Sequence, residues 1–375
     1  MAEEKKTVLR NIVRKYRIYP NGEQEIYFAK CFGCVRFVYN KMLSEKQEYY
    51  KETGKNLRVT PAKYKKEYPW LKEVDSLALA NAQLHLEGAY RNFFRDPAVG
   101  FPKYKTKHKS KESYTTNAVN GNITIENGRI RLPKVGEVKA KVHRKAEDGW
   151  KLKSVTISRE STGRYYAAVL YQCEYMEKSV QKDSAKEMLG IDFAMHGLAV
   201  FSDGTKADYP MYYRKAELKL AREQRKLSKC KKGSKNYQKQ KKYLARAHEK
   251  VRNQRKDFQH KLSHTLAEQY DAIAVEDLNM KGMSRALHLG KSTMDNGYGE
   301  FLGMLGYKLE ERGKKLVKID RFYPSSKLCS CCGRVKEELK LSERIYICVC
   351  GNNMDRDVNA AINICNEGRR LLEAV

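Results

Sequence analysis

The sequence has no run approaching the roughly 18 consecutive apolar residues that a membrane span needs, and its first residues, MAEEKK, lead into no apolar stretch of the kind that directs export. Both absences predict an unexported, cytoplasmic chain with no membrane partner. There is no internal repeat and no long disordered tail. Acidic residues are in short supply: 45 Asp+Glu stand against 75 Lys+Arg, a formal charge of +30. Such an imbalance points to a polyanionic partner. The ten cysteines do not form a disulfide framework, because half of them fall between residues 329 and 350 and the others are scattered. That clustering suits a metal site in a reducing compartment. With 375 residues the chain is no stapled miniprotein and has room for two or three domains.

The positive charge is concentrated. From Met211 to His260 there are 18 Lys+Arg against 4 Asp+Glu. The composition of KAELKLAREQRKLSK and KNYQKQKKYLARAHEKVRNQRKDFQHKLSHTLAEQ predicts two long helices broken at Lys231-Lys232-Gly233-Ser234, with Ala221, Leu227 and Leu244 as a thin apolar stripe. A solvated helix pair would normally mix the signs of its charges. Here nearly all are positive, so a phosphate backbone, which neutralises them and releases counterions, is the better partner. A second basic element, Phe101-Pro-Lys103-Tyr104-Lys105-Thr-Lys107-His-Lys109, would place its lysines on one face if extended. Phe101 and Tyr104 add rings on which bases can stack.

Along the chain, Tyr16 to Tyr19 reads as a short strand. Pro20-Asn21 then opens a helix with Asn21 and Gln24 as a capping box and Ile26, Phe28, Phe32, Val35, Val38 and Met42 as its buried face. Cys31 and Cys34 fall on that apolar helix and read as packing. A second amphipathic helix spans Leu77 to Phe94, so residues 21–97 form a helical module. From Asn120 to Tyr175 the segments NITIE, GRIRLP, EVKAKVHR, KLKSVTISRE and RYYAAVLYQC alternate with Gly- and Asp-containing turns, as in a small β-barrel. Polar residues 177–187 read as a linker, and beyond them strands and helices alternate as in an α/β domain.

Three segments of that domain carry acids after apolar runs or at a helix start. They are MLGIDFAMHGLAVFSDG with Asp192, AIAVEDLN with Glu276 and Asp277, and DRDVNAAINI with Asp355 and Asp357. Adjacent Glu276 and Asp277 point to opposite faces of a strand, so one of the two reaches a shared centre. Of Asp355 and Asp357, one is expected to cap the helix. Three carboxylates from separate elements suit two Mg²⁺ ions, hard cations that take oxygen ligands, with Mn²⁺ an acceptable substitute. Two such ions serve phosphodiester hydrolysis without a Ser, Cys or His nucleophile. The cysteines follow SSKLCSCCG and, after a 15-residue gap, CVCG. Two such knuckles suit one structural zinc. The CxxCG spacing assigns Cys329, Cys332, Cys348 and Cys350, with Cys331 the alternative to Cys332.

The motifs GIDFAMHGLAVFSDG, AVEDLN, PSSKLCSCCG and CGNNMDRDVNAAINI together resemble the split active site and zinc ribbon of the TnpB family, transposon-encoded RNA-guided DNA endonucleases related to type V CRISPR effectors. KYRIYPNGEQ, FGCVRFVYN, FPKYKTK and NQRKDFQHKLS extend the likeness over nearly the whole chain. The resemblance implies a multidomain α/β protein. Residues 1–20 and 98–176 would form a β-barrel wedge domain carrying a helical recognition insert, 21–97. An RNase H-like RuvC nuclease domain would span 188–375, with basic helices at 213–268 and the zinc ribbon at 325–354. It further implies that Asp192, Glu276 and Asp357 hold Mg²⁺, that the four cysteines hold zinc, and that the partners are a guide RNA from the end of the mobile element and a double-stranded DNA target cut beside a short adjacent motif. Candidate nucleic-acid contacts are Lys103, Tyr104, Lys105, Lys107, Lys226, Lys231, Lys232, Arg252, Arg255, Ser325, Ser326 and Lys327. A monomer is expected. The rival readings are a nuclease-inactive RNA-guided regulator and a guide-free RuvC-type nuclease; the intact acids count against the first and the large non-catalytic half against the second.

Overall fold

A computed structural model describes residues 7–108, 110–176, 187–194, 197–279, 295–340 and 342–374. Lys109 and all of the expected linker except Glu187 lie outside the described residues. The chain divides into two compact units, one within Lys6–Met176 and the other within Glu177–Val375.

In the first unit, strand β1 (Thr7–Tyr19) runs into helix α1 (Gly22–Thr53). Asn21 ends one and starts the other. Its side chain accepts from the Gln24 N–H while the Gln24 side chain accepts from the Asn21 N–H, which satisfies two donors that a helix start leaves orphaned. Phe28, Cys31, Phe32, Cys34, Val35, Val38 and Met42 are buried, but Ile26, expected among them, is 62% exposed. Two positions before Phe28 is about 200° around a helix, off the stripe that the others share. Burial pushes the Cys31 thiol up to about 12 and the Cys34 thiol up to about 11, as for packed side chains. Helices α2 (Pro61–Glu67) and α3 (Ser76–Arg95) follow, the latter capped by Asp75.

Strands β2 (Glu112–Asn117), β3 (Thr124–Glu126), β4 (Arg129–Leu132), β5 (Gly136–Lys141), β6 (Lys151–Arg159) and β7 (Tyr165–Met176) join β1 in an antiparallel sheet of order β2-β6-β7-β1-β5-β4-β3. The segments predicted as a barrel form this sheet, and its edge strands β2 and β3 are not paired with each other among the described residues. Strand β1 begins nine residues earlier than its sequence suggests, because its first half finds a complete partner in β7, in register from Thr7 opposite Met176 to Ile18 opposite Tyr165. Its last residues, Arg17 to Tyr19, also pair with β5. The Phe28 ring of α1 packs against Tyr114 of β2 and Tyr165 of β7, at centroid distances of 6.1 and 5.8 Å, so helices and sheet share one core.

The second unit is built on strands β8 (Met188–Asp192) and β9 (Val200–Phe201), helices α4 (Tyr212–Lys229) and α5 (Lys235–Gln269), strand β10 (Ala272–Glu276), helix α6 (Tyr298–Glu310) and strand β11 (Lys315–Ile319). A short pair, β12 (Ile345–Ile347) and β13 (Asn353–Asp355), precedes the last helix, α7 (Arg356–Glu373). The sheet has the order β11-β10-β8-β9, with β11, β10 and β8 parallel and β9 antiparallel to β8. Alternation along the strands separates its two faces. Leu189, Ile191, Ile273 and Val275 pack towards α5 and α6 with Leu266, Phe301 and Leu305. Met188, Ala272 and Ala274 pack towards α7 with Ile364 and Cys365.

Helix α7 lies very close to the sheet. A Cβ on Gly190 would fall 2.0 Å from the Ala361 carbonyl oxygen, and one on Gly368 would fall 2.4 Å from the Ala274 Cβ. One glycine on the strand and one on the helix therefore permit the contact. On the far side, α4 and α5 form the expected antiparallel hairpin, with Ser234 capping α5 by accepting from the Tyr237 N–H. Its seam is Leu220, Leu227, Leu244 and Val251. Leu220 takes the place expected of Ala221, which is exposed.

Candidate active site and metal centre

The alternation that sorts the core also aims the acids. Asp192 follows Met188 and Gly190 on the α7 face of β8, and Glu276 follows Ala272 and Ala274 on the same face of β10. Val275 pairs with Ile191 in parallel register, so Asp192 and Glu276 end neighbouring strands side by side at the carboxyl edge of the sheet. In open α/β sheets, that edge is where ligands bind. Asp357, in the first turn of α7, is brought to the same place by the close seating of that helix. Burial pushes the Asp192 carboxyl up to about 8, and the charges of Glu276 and Asp357 push it the same way. Burial also raises Glu276, against a hydrogen bond from Ser325 that lowers it.

The neighbouring acids are engaged elsewhere. Asp277 faces Lys318 at 3.4 Å and Arg321 at 3.3 Å. Asp355 caps α7, accepting from the N–H groups of Asp357 and Val358, and pairs with Lys206 at 3.1 Å. Burial would raise its carboxyl, but the Lys206 and backbone hydrogen bonds outweigh that and hold it below the ordinary value.

The cysteine insert is a second centre. Cys329 Sγ lies 3.6 Å from Cys350 Sγ, and Cys332 Sγ lies 3.6 Å from Cys348 Sγ; all four sulfurs are within 4.8 Å of one another. These separations are far beyond the roughly 2.05 Å of a disulfide. They match the edge of about 3.8 Å of a sulfur tetrahedron with zinc–sulfur bonds of about 2.3 Å. Cys331 is exposed and outside the cluster. Burial would raise the Cys329 thiol, but the N–H groups of Cys332 and Cys331 and the Asn352 amide bring it down to about 6. The Asn352 N–H draws the Cys350 thiol down, but the neighbouring sulfurs push it up to about 12. Four thiolates this close need a cation to share their charge.

Among the described residues, the cysteines form the one cluster tight enough for a single ion. The three carboxylates are set more widely. That arrangement suits hydrated Mg²⁺, which keeps several waters and takes one or two carboxylates. Partly buried carboxylates that raise one another's proton affinity, as Glu276 raises that of Asp192, are a fit for divalent cations, which compensate the charge that burial penalises.

The expected nucleic-acid contacts fare unevenly. Lys231, Lys232 and Arg252 are exposed on the hairpin. Lys226 is exposed too and touches Glu223 at 3.0 Å, a surface pair of little energetic weight. A groove between α4 and α5 is lined by Lys219, Lys226, Tyr243, Arg246 and Lys250. Arg255 instead reaches across to Glu300 of α6 at 3.2 Å and is half-buried, so it helps dock the hairpin. Among the described residues of the Phe101 segment, 101–108, no strand forms, and Lys109 lies outside them. Lys103 and Lys107 are exposed, but the Lys105 ammonium sits 3.9 Å from the centre of the Tyr39 ring, a cation–π contact that leaves it half-buried. Tyr104 is half exposed and donates to the Gln47 side chain at 3.0 Å.

Ser325 is also misplaced by the sequence reading. It is buried, and its hydroxyl donates to Glu276 at 2.5 Å. Ser326 is half-buried, and the Lys327 ammonium donates to the Glu337 carbonyl at 2.8 Å. Sequence reasoning also missed Asn359 and Asn363. These buried α7 residues hold the ribbon segment: Asn359 donates to the Leu328 carbonyl and accepts from the Ser330 N–H, and Asn363 donates to the carbonyls of Ser325 and Leu328. Their one signal is polarity on the inward face of an otherwise apolar helix stripe.

Residues 170–287 match the family described as a probable transposase of the OrfB/IS605 type, and 298–364 match the Cas12f1-like TNB domain. Residues 10–55 match the OrfB/IS605 helix-turn-helix domain, although here that segment is a strand followed by one helix. A Streptomyces pristinaespiralis protein provisionally named RNA-guided DNA endonuclease is 36% identical over 364 residues, covering 94% of this chain and 88% of its own. InsQ of Escherichia coli K12, with the same provisional name, is 31% identical over 381 residues, covering 96% and 92%. The TnpB-like protein L79 of Acanthamoeba polyphaga mimivirus is 34% identical over 135 residues, a third of this chain. In a cryo-EM structure titled as a Cas12f1–sgRNA–target DNA complex, one chain shares the fold at a TM-score of 0.58 and 14% identity, over 96% of this chain and 99% of that one. With relatives of 36% and 31% identity aligned along nearly its full length, and family models matching most of it, the chain belongs to the TnpB family.

Proposed function

We propose that this protein is an RNA-guided, Mg²⁺-dependent endonuclease of double-stranded DNA, in which Asp192, Glu276 and Asp357 form a RuvC-type, RNase H-like active site. The observation that carries the reading is the convergence of the three acids: two end adjacent parallel strands on one face, and the third starts the helix that covers that face. The relatives' names point the same way. Asp192, Glu276 and Asp357 would hold paired Mg²⁺ ions, whose chemistry there would be activation of a water and charge neutralisation at the scissile phosphate. The protein's part is to hold the three carboxylates at fixed spacing, to keep Asp192 and Glu276 partly shielded from water, and to turn Asp277 and Asp355 away through their own cations. The four cysteines would hold a structural zinc, with the ribbon braced on α7 by Asn359 and Asn363.

The first unit would act as the wedge and recognition part. In such a division of labour, base pairing reads the sequence while protein contacts read backbone and a short duplex motif. The basic hairpin, with Lys226, Lys231, Lys232 and Arg252 exposed, would hold nucleic-acid backbone. Retention of all three acids favours this reading over a nuclease-inactive regulator. Its test is programmed cleavage. RNA copurifying with the protein is sequenced, its guide segment is replaced, and matched and unmatched plasmids are incubated with Mg²⁺ or with a chelator. The expected result is cutting of the matched plasmid only, and only with Mg²⁺; cutting that ignores the guide contradicts the proposal.

A further inference from the structure

We infer that Ser325 is a positioning residue for Glu276, and that the segment from Tyr323 to Cys329 couples the cysteine ribbon to the carboxylate centre. The inference rests on the proposed role of Glu276 as a metal ligand and assigns a role to the residue next to it. Glu276 ends a strand, where a carboxylate has rotamer freedom that the sheet does not restrain. Ser325 supplies the restraint: it is 6% exposed, and its hydroxyl donates to Glu276 Oε1 at 2.5 Å. A hydroxyl has one proton to donate. Donation to Oε1 restrains the carboxylate through that oxygen and does not itself occupy Oε2.

Ser325 is itself held from two sides. Its N–H donates to the Tyr323 carbonyl at 2.8 Å, and its carbonyl accepts from the buried Asn363 amide of α7 at 2.8 Å. The same amide donates to the Leu328 carbonyl at 2.7 Å, next to Cys329. The chain of contacts therefore runs from the Cys329 knuckle through Asn363 to Ser325 and Glu276. Since α7 carries Asp357 in its first turn, one helix sets the third acid and, through Asn363 and Ser325, the orientation of the second. Groups that orient a metal ligand affect metal affinity or activity by about 10- to 100-fold.

The test uses the full, zinc-loaded chain and Mn²⁺ as the probe, with binding followed by Mn²⁺ electron paramagnetic resonance in the absence of nucleic acid. Guide-loaded cleavage rates are measured in parallel. Ser325→Ala is expected to weaken Mn²⁺ binding by about 10-fold or more with zinc content and guide binding unchanged, and Ser325→Thr to restore most of it. Wild-type Mn²⁺ affinity and cleavage in Ser325→Ala would overturn the inference. If that variant loses zinc or its folding transition, Ser325→Cys decides: it keeps the size but offers a weak donor, so a loss of Mn²⁺ affinity with zinc retained supports the inference and wild-type affinity overturns it. Glu276→Gln separates the two levels. Undiminished Mn²⁺ binding in that variant contradicts the role of Glu276 itself, whereas a defect there beside a normal Ser325→Ala contradicts only the role of Ser325.

Discussion

Asp192 is held where its negative charge is costly, by burial first and then by Glu276 and Asp357, with Arg356 pulling the other way and Asp355 adding to the rise. The sign of the consequence follows from linkage. A carboxyl whose folded pKa rises from 3.8 to about 8 keeps its proton more tightly folded than unfolded. The stability it contributes is full below the unfolded value and is lost as pH climbs through the interval to about 8. Glu276, also raised, acts in the same direction. Without divalent ions, the melting temperature should therefore fall between pH 4 and pH 8. Asp192→Asn should flatten that fall and melt higher than wild type at pH 8, which calorimetry in a chelator checks. An equally steep fall in the variant would mean that Asp192 is not the strained group. At this scale the sequence was informative about residue type and silent about partners. It offered Glu276 or Asp277 and Asp355 or Asp357 as alternatives, and it could not show that Lys318, Arg321 and Lys206, all distant in sequence, engage Asp277 and Asp355.

Among the elements, α7 has the largest role, since it carries Asp357, covers the sheet and braces the ribbon. Its seat depends on Gly190, where an added methyl would overlap the Ala361 carbonyl. Gly190→Ala should destabilise the second unit by about 1–3 kcal/mol, visible in denaturant melts, and reduce cleavage by shifting Asp357. Unaltered stability would show that the helix can retreat at no cost. The hairpin of α4 and α5 makes a different kind of prediction, because its exposed cations should bind phosphates without reading sequence. Replacing Lys231, Lys232 and Arg252 together by Gln should weaken matched and mismatched targets by similar factors. It should flatten log affinity against log salt by about 0.9 per lost duplex contact or about 0.7 per lost single-strand contact. Filter binding over a salt series measures both, and an unchanged slope would leave the hairpin as solvated surface. The hairpin and its break were legible because Gly233-Ser234 interrupts a long helical composition. The first half of β1 was not, because its ladder depends on β7, more than 140 residues away. The Lys103–Lys107 alternation misled for a similar reason: the Tyr39 ring of α1 draws Lys105 inward, and no local pattern announces it.

For the whole molecule, a charge of +30 calls for a polyanionic partner, while the second unit gathers Asp192, Glu276 and Asp357 at one sheet edge. The cysteine cluster was largely legible: knuckle spacing picks Cys329, Cys348 and Cys350 and favours Cys332 while leaving Cys331 as its alternative, and the structure brings Cys332 into the cluster. The braces between ribbon and active centre, Ser325, Asn359 and Asn363, were not, because small polar residues in loops and helices have many ordinary uses. No helix among the described residues is long and apolar enough to cross a membrane. The central claim is that Asp192, Glu276 and Asp357 serve DNA cleavage as metal ligands while the exposed cations of the hairpin hold nucleic acid, so binding and cleavage should separate cleanly. The decisive measurement is guide-loaded plasmid cleavage and target binding, side by side, for Asp192→Ala, Glu276→Ala, Asp357→Ala and Asp355→Ala. The first three should abolish cleavage and bind target nearly as wild type does, and Asp355→Ala, losing a helix cap at a cost of about 1 kcal/mol, should still cut. Full cleavage by any of the first three, or loss of cleavage in Asp355→Ala alone, would contradict the account.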